Sequence, residues 1–278
     1  VRSLGYDAWL DNQFAAPKSK TGWAWLDERG YDTVDTSLKF FNLGYVDNMI
    51  WAQLLTSSDA VRKRVAYALS QMFVVSANPF DGYWPAYMLA AWWDLLNTHA
   101  FGNFRDLLEA VTLSPAMGRY LNTKGNAKED DNGRLPDENY AREVMQLFTL
   151  GLNQLNTDGS PKTDIWGKPV PTYSQADVTN LARVFTGYDW DTSQTVWTPF
   201  TVNGGTYKVP TREFCYRPMR LNASLHSTVD VNVLGVAIPG AMPGNYKLKA
   251  ALDVLFKHPN VGPFFRSEER RLGKECRS

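Results

Sequence analysis

Apolar residues recur at helical spacing through most of the chain, which predicts a mainly α protein. The pattern is clearest from Ser58, where Val61, Val65, Leu69 and Met72 follow one another at intervals of three and four residues. The same criterion predicts helices within the segments 3–16, 83–102, 103–121, 137–151, 173–187 and 247–258. The segment 83–102 is apolar nearly all round, which favours a buried helix.

The remaining segments indicate loops and a small amount of β-structure. The stretch 152–162 reads LNQLNTDGSPK, and its TDGS tetrapeptide predicts the turn of a short hairpin. The polar stretch 122–136 and the aromatic stretch 21–35 are predicted as loops. Residues 188–247 are rich in Thr, Val, Gly and Pro, so short strands and long loops are expected there. The predicted fold is a multi-helix domain with a small β-hairpin and an irregular, β-containing insert.

Both ends of the chain indicate truncation. Residues 266–278 read RSEERRLGKECRS, have no apolar periodicity, and resemble one translated frame of a common sequencing adapter, RSEERRVGKECRS. We therefore interpret 266–278 as a foreign tail and 1–265 as a single, mostly helical domain. The chain begins without Met in what reads as a helix already under way, so the native N-terminus is expected to be missing.

Net charge, the length of apolar runs and the absence of known motifs argue against several classes of function. The formal net charge is zero, which gives no general attraction to nucleic acid. No run of 18 apolar residues exists, so no transmembrane segment is predicted. Phosphate-loop, dinucleotide-binding and serine-hydrolase motifs are absent from the sequence, and no cofactor is predicted.

The stretch PDENYAREVMQLFTLGL at 136–152 carries the most suggestive chemistry. On a helical wheel its polar residues share one arc, and Glu138 and Arg142 are four residues apart, a spacing suited to an ion pair. The arc is either a solvated face with one local pair, a polar layer buried between helices, or the lining of a catalytic site. A buried layer needs charges of both signs, and Arg183 and Asp177 on a later helix supply further members.

The residues proposed for each alternative are as follows. The catalytic candidates are Glu138, Glu143, Arg142 and His226. The predicted polar layer comprises Arg62, Arg64, Asn139, Arg142, Glu143, Gln146, Asp177 and Arg183. No zinc-ligand spacing is visible among the three histidines, and the acidic loop gives only weak metal candidates: Asp130, Asp131 and Asp137.

Several long motifs resemble one bacterial family, domain of unknown function 1800. They are RKRVAYALSQMFVVS, HAFGNFRDLLEAVTLSPAMGRYLN, PDENYAREVMQLFTLGLNQLNTDGSPK, PTYSQADVTNLARVFTGY and HPNVGPF, and they occur in order over most of residues 1–265. The resemblance implies an exported protein, periplasmic or extracellular, often encoded beside exported proteins of an alkaline-phosphatase-like class. It brings no reaction, ligand or catalytic positions. The family tends to carry His-Asp where this chain has His226-Ser227, which argues against a metal role there.

Two hypotheses about function follow. The first is a helical binding or scaffold module for a partner protein or a cell-surface polymer. The second is an exported hydrolase-like enzyme that uses carboxylates of the polar layer. A concave pocket at Glu138 and Glu143 with His226 nearby would favour the enzyme. Pairing of every charged group, with no pocket there, would favour the binding module.

Overall fold

Helices account for most of the regular secondary structure in the computed structural model, which describes residues 5–77 and 82–266. The predicted mainly α class with a small β part is therefore confirmed. Apart from Arg266, the proposed foreign tail lies outside the described residues. Within the described ranges, no helix is both long and apolar enough to cross a membrane.

Helices dominate the first two thirds of the chain, and short strands follow from Tyr188 onward. The helices are α1 Tyr6–Ala15, α2 Gly22–Asp27, α3 Tyr45–Thr56, α4 Ala60–Met72, α5 Pro85–His99, α6 Phe104–Thr112, α7 Pro115–Tyr120, α8 Asn139–Gln146, α9 Gln175–Val184 and α10 Gly244–Lys257. A further helical segment occupies 261–266. The strands are β1 Tyr188–Asp189, β2 Trp197–Val202, β3 Gly205–Pro210, β4 Arg220–Leu221, β5 Val231–Val233 and β6 Val236–Ile238.

The chain forms two compact units, each made of two segments. Unit 1 is Val1–Tyr120 with Trp190–Arg220, and unit 2 is Leu121–Asp189 with Leu221–Ser278. The boundaries proposed from the sequence, 1–265 and 266–278, stay predictions.

Helix α5 is the central element of unit 1. Ten of its residues are buried, among them Ala90 and Leu96 at 0% exposure, as its uninterrupted apolar sequence predicts. Pro85 occupies the first turn, where the missing N–H costs no helical hydrogen bond. Helices α2, α3, α4, α6 and α7 all pack on α5.

A two-stranded hairpin, β2–β3, completes unit 1. Its strands pair from Trp197 opposite Pro210 to Val202 opposite Gly205. The turn residues Asn203 and Gly204 both have positive φ, 50° and 77°, as a tight hairpin turn requires. Beyond the hairpin, Arg212 pairs with Asp27 of α2 and lies 4.6 Å from the centroid of the Tyr87 ring, which fastens this arm to the helices.

Unit 2 has an apolar core built by α8, α9 and α10. Its buried side chains include Tyr140, Val144, Phe148, Leu181, Phe185, Leu248, Leu252 and Leu255. Helix α9 begins with a capping box, in which Ser174 and Asp177 exchange hydrogen bonds with each other's backbone N–H groups. Strands β5 and β6 form a short antiparallel hairpin that packs on α9 and α10.

A three-segment meander over residues 153–171 holds the hairpin that TDGS predicts. Asn153 bridges Pro171, Leu155 bridges Pro161, and Thr163 bridges Pro169, all antiparallel. Asn260 anchors the base, because its side chain accepts from the Leu155 N–H at 2.6 Å and donates to the Asn153 carbonyl at 3.1 Å.

One local expectation was wrong, and two features of the helices were not anticipated. The segment 21–35, expected as a loop, contains α2, which begins because the Thr21 hydroxyl accepts from the Ala24 N–H. Helix α3 had no counterpart in the sequence-based prediction. In α4 the buried residues are Arg62, Lys63 and Ala66, whereas the apolar positions that define the helical pattern are only partly covered.

Candidate functional site

Glu138 lies at the N-terminal end of α8 and receives hydrogen bonds from three side chains. Its Oε2 accepts from Arg142 Nη2 at 3.0 Å and from Gln175 Nε2 at 2.8 Å, and its Oε1 accepts from Thr179 Oγ1 at 2.7 Å. Burial opposes ionisation, but the bonds from Thr179, Gln175 and Arg142 outweigh it and lower the pKa of Glu138. This carboxylate therefore fastens α8 to α9 and is poorly suited to act as a general acid near neutral pH.

Glu143 lies further along α8 in a different environment. It is half-buried, and its Oε2 has no hydrogen-bond partner among the described residues. Burial raises the pKa of Glu143, and the charge of Arg142 opposes that rise. The neighbouring Tyr173 donates its hydroxyl to Gln146 Oε1 at 3.3 Å. Glu143 thus has the raised pKa of an acid–base group, but no hydrogen bond in the described structure directs its proton.

Replacing Glu143 by glutamine is expected to stabilise the protein increasingly as pH rises. A raised carboxyl pKa means that the folded state keeps the proton longer than the unfolded state. The parent therefore loses stability as pH rises from the ordinary value of 4.5 through the folded pKa, and the amide does not. Urea unfolding of both proteins, at a series of pH values on either side of 4.5, measures the difference.

The urea unfolding series also tests the size of the stabilisation by Glu143→Gln. The nearest cation, Arg142, has a side chain 40% exposed and bound to Glu138, so losing Glu143 strands no buried charge. The difference in free energy of unfolding should stay below about 1 kcal/mol. A difference that does not change with pH would contradict the environment described for Glu143.

A second group of polar residues surrounds the first turns of α10. It comprises Glu129, Arg183, His226, Ser227 and Lys247, and is termed the Lys247 cluster. Arg183 Nε lies 3.6 Å from Glu129 Oε1, and the Ser227 hydroxyl donates to the same oxygen at 3.1 Å. Lys247 has no exposed surface, and its Nζ donates to the Ser227 carbonyl at 3.0 Å. The structure thus brings together one predicted layer residue, Arg183, one catalytic candidate, His226, and three groups that the sequence did not single out for a site.

His226 is held as a neutral, inaccessible imidazole. Its Nδ1 lies 2.8 Å from the Thr186 carbonyl, which can only accept, so Nδ1 carries the proton. Burial lowers the pKa of His226, the hydrogen bond to Thr186 raises it, and Lys247 and Lys128 lower it. The side chain is 4% exposed, and Nε2 has no partner among the described residues. The catalytic candidates therefore fall into two groups, one on α8 and one at His226.

Asp177, expected as a counter-charge for arginine, has a structural role. Its Oδ2 accepts from the Ser174 N–H at 2.8 Å, and its Oδ1 accepts from the Leu234 N–H at 2.8 Å. Leu234 is a turn residue of the β5–β6 hairpin with φ of 51°, a conformation that leaves its N–H free to point at the carboxylate. These hydrogen bonds lower the pKa of Asp177 against the effect of burial. The carboxylate joins the start of α9 to the hairpin.

The other residues of the predicted layer have local partners or are exposed. Arg62 belongs to unit 1, where its Nε lies 3.7 Å from Asp59 Oδ2 and its guanidinium lies 4.4 Å from the centre of the Phe101 ring. Arg64 is exposed on α4, and Asn139 is exposed on α8. The part of the layer that would join Arg62 or Arg64 to α8 stays a prediction.

Two of the weak metal candidates, Asp130 and Asp137, accept hydrogen bonds from nearby backbone N–H groups. Asp130 Oδ1 accepts from the N–H groups of Asn132 and Arg134, both at 3.0 Å, and these bonds lower its pKa. Asp137 Oδ1 accepts from the Asn139 N–H at 2.8 Å, and Asp131 is exposed. Within 5–77 and 82–266, no three His, Cys, Asp or Glu residues are grouped so that they could hold a metal ion.

Unit 1 contains a partly buried pair of opposite charges, Asp94 and Lys63, that no sequence pattern singled out. Asp94 of α5 accepts from the N–H groups of Gly22 and Trp23, at 2.6 and 3.0 Å, and so caps α2. Burial raises the pKa of Asp94 to about 6, against the effect of these bonds and of Lys63. Lys63 is 2% exposed; burial lowers its pKa, and the negative charges of Asp59 and Asp94 oppose that effect. Only the packing of α2 and α4 on α5 creates this arrangement.

Two exposed apolar surfaces complete the set of candidates, one in each unit. In unit 1, α3 exposes Trp51 by 60% and Leu55 by 77%. In unit 2, a turn of the meander exposes Ile165 by 87% and Trp166 by 78%. Large apolar side chains exposed in adjacent pairs mark interaction sites more often than single ones do.

The comparison with protein families gives one match. A family model described as "Protein of unknown function (DUF1800)" covers residues 1–268, so the chain belongs to this family. No curated protein and no solved structure matches the chain.

Proposed function

We propose that this member of the family is a helical binding module, bacterial and exported, that docks a partner protein through α3. The supporting observation is the exposed face of that helix. Trp51 and Leu55 are four residues apart and therefore adjacent on the helix surface, and both point away from the buried side formed by Val46, Met49 and Gln53.

The chemistry of this face favours a protein as the partner. Its apolar centre is one aromatic and one aliphatic side chain, with exposed Asp47 and Asn48 at the preceding turn. An aromatic anchor beside a polar rim is typical of the energetic centre of protein interfaces. The helix carries no Lys or Arg, so it offers nothing to an anionic polymer, and a leucine 77% exposed gives a saccharide little to bind. The family resemblance supplies a partner class, exported proteins of the alkaline-phosphatase-like kind.

The hydrolase-like alternative has weaker support. Glu138 is committed to three donors with a lowered pKa, and Glu143 has a raised pKa without a group to receive its proton. His226 is neutral, buried and engaged with Thr186. None of these side chains is presented in the way that a general acid or base needs.

The test is binding of an alkaline-phosphatase-like protein encoded beside a family member. Replacing Trp51 and Leu55 together by serine should weaken its binding by about 30-fold or more, because truncating an interface anchor commonly costs about 2 kcal/mol or more. Isothermal titration calorimetry with the purified proteins measures the dissociation constants.

A matched variant controls for nonspecific binding through exposed apolar side chains. Serine at Ile165 and Trp166 removes a similar exposed apolar pair from unit 2, and it should leave this protein–protein affinity within about twofold of the parent. Equal affinity of the parent and the α3 variant would exclude α3 as the docking face.

A further inference from the structure

The apolar pair Ile165 and Trp166 occupies one of two similar turns in the meander of unit 2. In the first turn, the Asn156 N–H donates to the Ser160 carbonyl at 2.8 Å and the Gly159 N–H to the Asn156 carbonyl at 2.9 Å. In the second, the Asp164 N–H donates to the Lys168 carbonyl at 2.8 Å and the Gly167 N–H to the Asp164 carbonyl at 3.0 Å. Both glycines have positive φ, 85° and 79°. The two turns therefore share a backbone design.

The central residues of the two turns differ in chemistry. NTDGS places Thr157 and Asp158 at the tip, whereas DIWGK places Ile165 and Trp166 there. Since the first turn forms with polar residues, the backbone design does not require apolar ones. The second turn nevertheless exposes an isoleucine by 87% and a tryptophan by 78%, the two highest values among the exposed large apolar side chains of the described chain.

Local hydrogen bonds hold the backbone of the tip. Asp164 Oδ1 accepts from the N–H groups of Trp166 and Lys168, both at 2.9 Å. Thr163 bridges Pro169 directly below the turn. The base of the meander is fixed by the buried Asn260. The apolar side chains are thus presented by an ordered element, which lowers the entropy cost of docking.

Two lysines flank the tip on one face of the hairpin. Lys162 and Lys168 each precede a residue of the Thr163–Pro169 pair, and successive side chains alternate between faces. Both lysines therefore point to the face opposite that pair, and both are exposed. Their long side chains can keep their charges in water or at anionic groups while the tip enters an apolar phase. Asp164 lies between them in the sequence, and its Oδ1 accepts from two backbone N–H groups. With the two lysines it leaves the tip a formal net charge of +1.

We propose that this tip docks unit 2 onto an anionic lipid surface. Tryptophan at the headgroup level, an aliphatic side chain below it and lysines beside them are the combination that membrane interfaces favour. The lysines distinguish this tip from α3, whose exposed Trp51 and Leu55 have no cation on their helix. Charge complementarity therefore assigns the lipid surface to unit 2, independently of the function proposed for α3.

The experiment is co-sedimentation of the full chain with vesicles of phosphatidylglycerol and phosphatidylethanolamine, compared with vesicles of phosphatidylcholine alone. The parent should bind the anionic vesicles and be released by salt. Replacing Ile165 by threonine and Trp166 by serine, neutral residues that a turn accepts, should lower the partition coefficient at least about tenfold. Replacing Lys162 and Lys168 by glutamine should lower binding to anionic vesicles and leave the weaker binding to phosphatidylcholine unchanged.

The variant with serine at Trp51 and Leu55 is the matched control, since it removes an exposed tryptophan and an aliphatic side chain from the other unit. It should bind vesicles as the parent does. Circular dichroism melts should show unchanged folding of all variants, because the replaced side chains are exposed. The proposal is overturned if the parent stays in the supernatant with anionic vesicles, or if the tip variant sediments as the parent does. It is also overturned if the tip variant keeps its lipid binding and instead loses a protein partner.

Discussion

Replacing Lys247 by alanine is expected to lower the free energy of unfolding by about 3–5 kcal/mol, because it removes a buried side chain and leaves two hydrogen-bond acceptors without their donor. The side chain has no exposed surface, and its Nζ donates to the carbonyls of Ser227 and Val229 at 3.0 and 2.8 Å. Alanine leaves both carbonyls without this donor, and it removes the positive charge that acts on Glu129 and Asp230. Urea unfolding at neutral pH measures the loss.

Lys249 provides the control on the same helix. It is exposed, and its replacement by alanine should change the free energy of unfolding by less than about 1 kcal/mol. If the variant at Lys247 also stayed within that range, the lysine would not hold the 227–229 segment as the structure indicates. The comparison separates burial of the charge from any effect of alanine on helix propensity, since both sites lie in α10.

The same lysine marks a limit of sequence-based prediction. The periodic run KLKAALDVLFKH predicts α10, and the structure has a helix there. In that run Lys247 and Lys249 look alike, yet one is buried and the other exposed. The difference arises from carbonyl groups 18 and 20 residues earlier in the chain, which no local pattern contains.

Two local features were predicted from the sequence, and in each of them both partners lie within one turn or one hairpin. The four-residue spacing of Glu138 and Arg142 predicts their ion pair, and the structure places the two side chains 3.0 Å apart. The NTDGS turn forms where its sequence indicates. By contrast, α8 ends at Gln146, earlier than the apolar pattern suggests, so Thr149 is buried rather than part of the polar arc. Gly151, with φ of 70°, follows where the chain turns away.

The two exposed apolar surfaces, one on α3 and one at the second turn of the meander, were not predicted, for a different physical reason. Trp51, Leu55, Ile165 and Trp166 are apolar, and an apolar residue in a sequence is first expected in the core. Exposure depends on which face of a helix or which end of a hairpin the rest of the chain covers. One local signal did exist, because DIWGK repeats the pattern of NTDGS and a turn tip is seldom buried.

Replacing Gly240 by alanine is expected to cost about 3 kcal/mol or more, at or above the upper end of the usual penalty for overpacking. A Cβ at this position would lie 1.9 Å from the Thr228 carbonyl oxygen and 2.6 Å from the Val229 carbonyl carbon. Both are backbone atoms, so no rotamer change can relieve the contact. The Gly240 N–H also donates to Asp230 Oδ1 at 2.7 Å, which ties the two backbones together at this approach.

The matched substitution for this test is Gly262→Ala. A Cβ there meets no atom within 4 Å, and the residue lies in the helical segment 261–266, so alanine should stabilise by up to about 1 kcal/mol. Thermal and urea unfolding of both variants measures the contrast. If Gly240→Ala were as stable as the parent, residues 228–229 could not pack against Gly240 as described.

The Lys247 Nζ donates to the carbonyls on either side of Thr228, so the substitutions at Gly240 and Lys247 both remove contacts of the segment 227–229. Their effects on the free energy of unfolding should therefore combine non-additively.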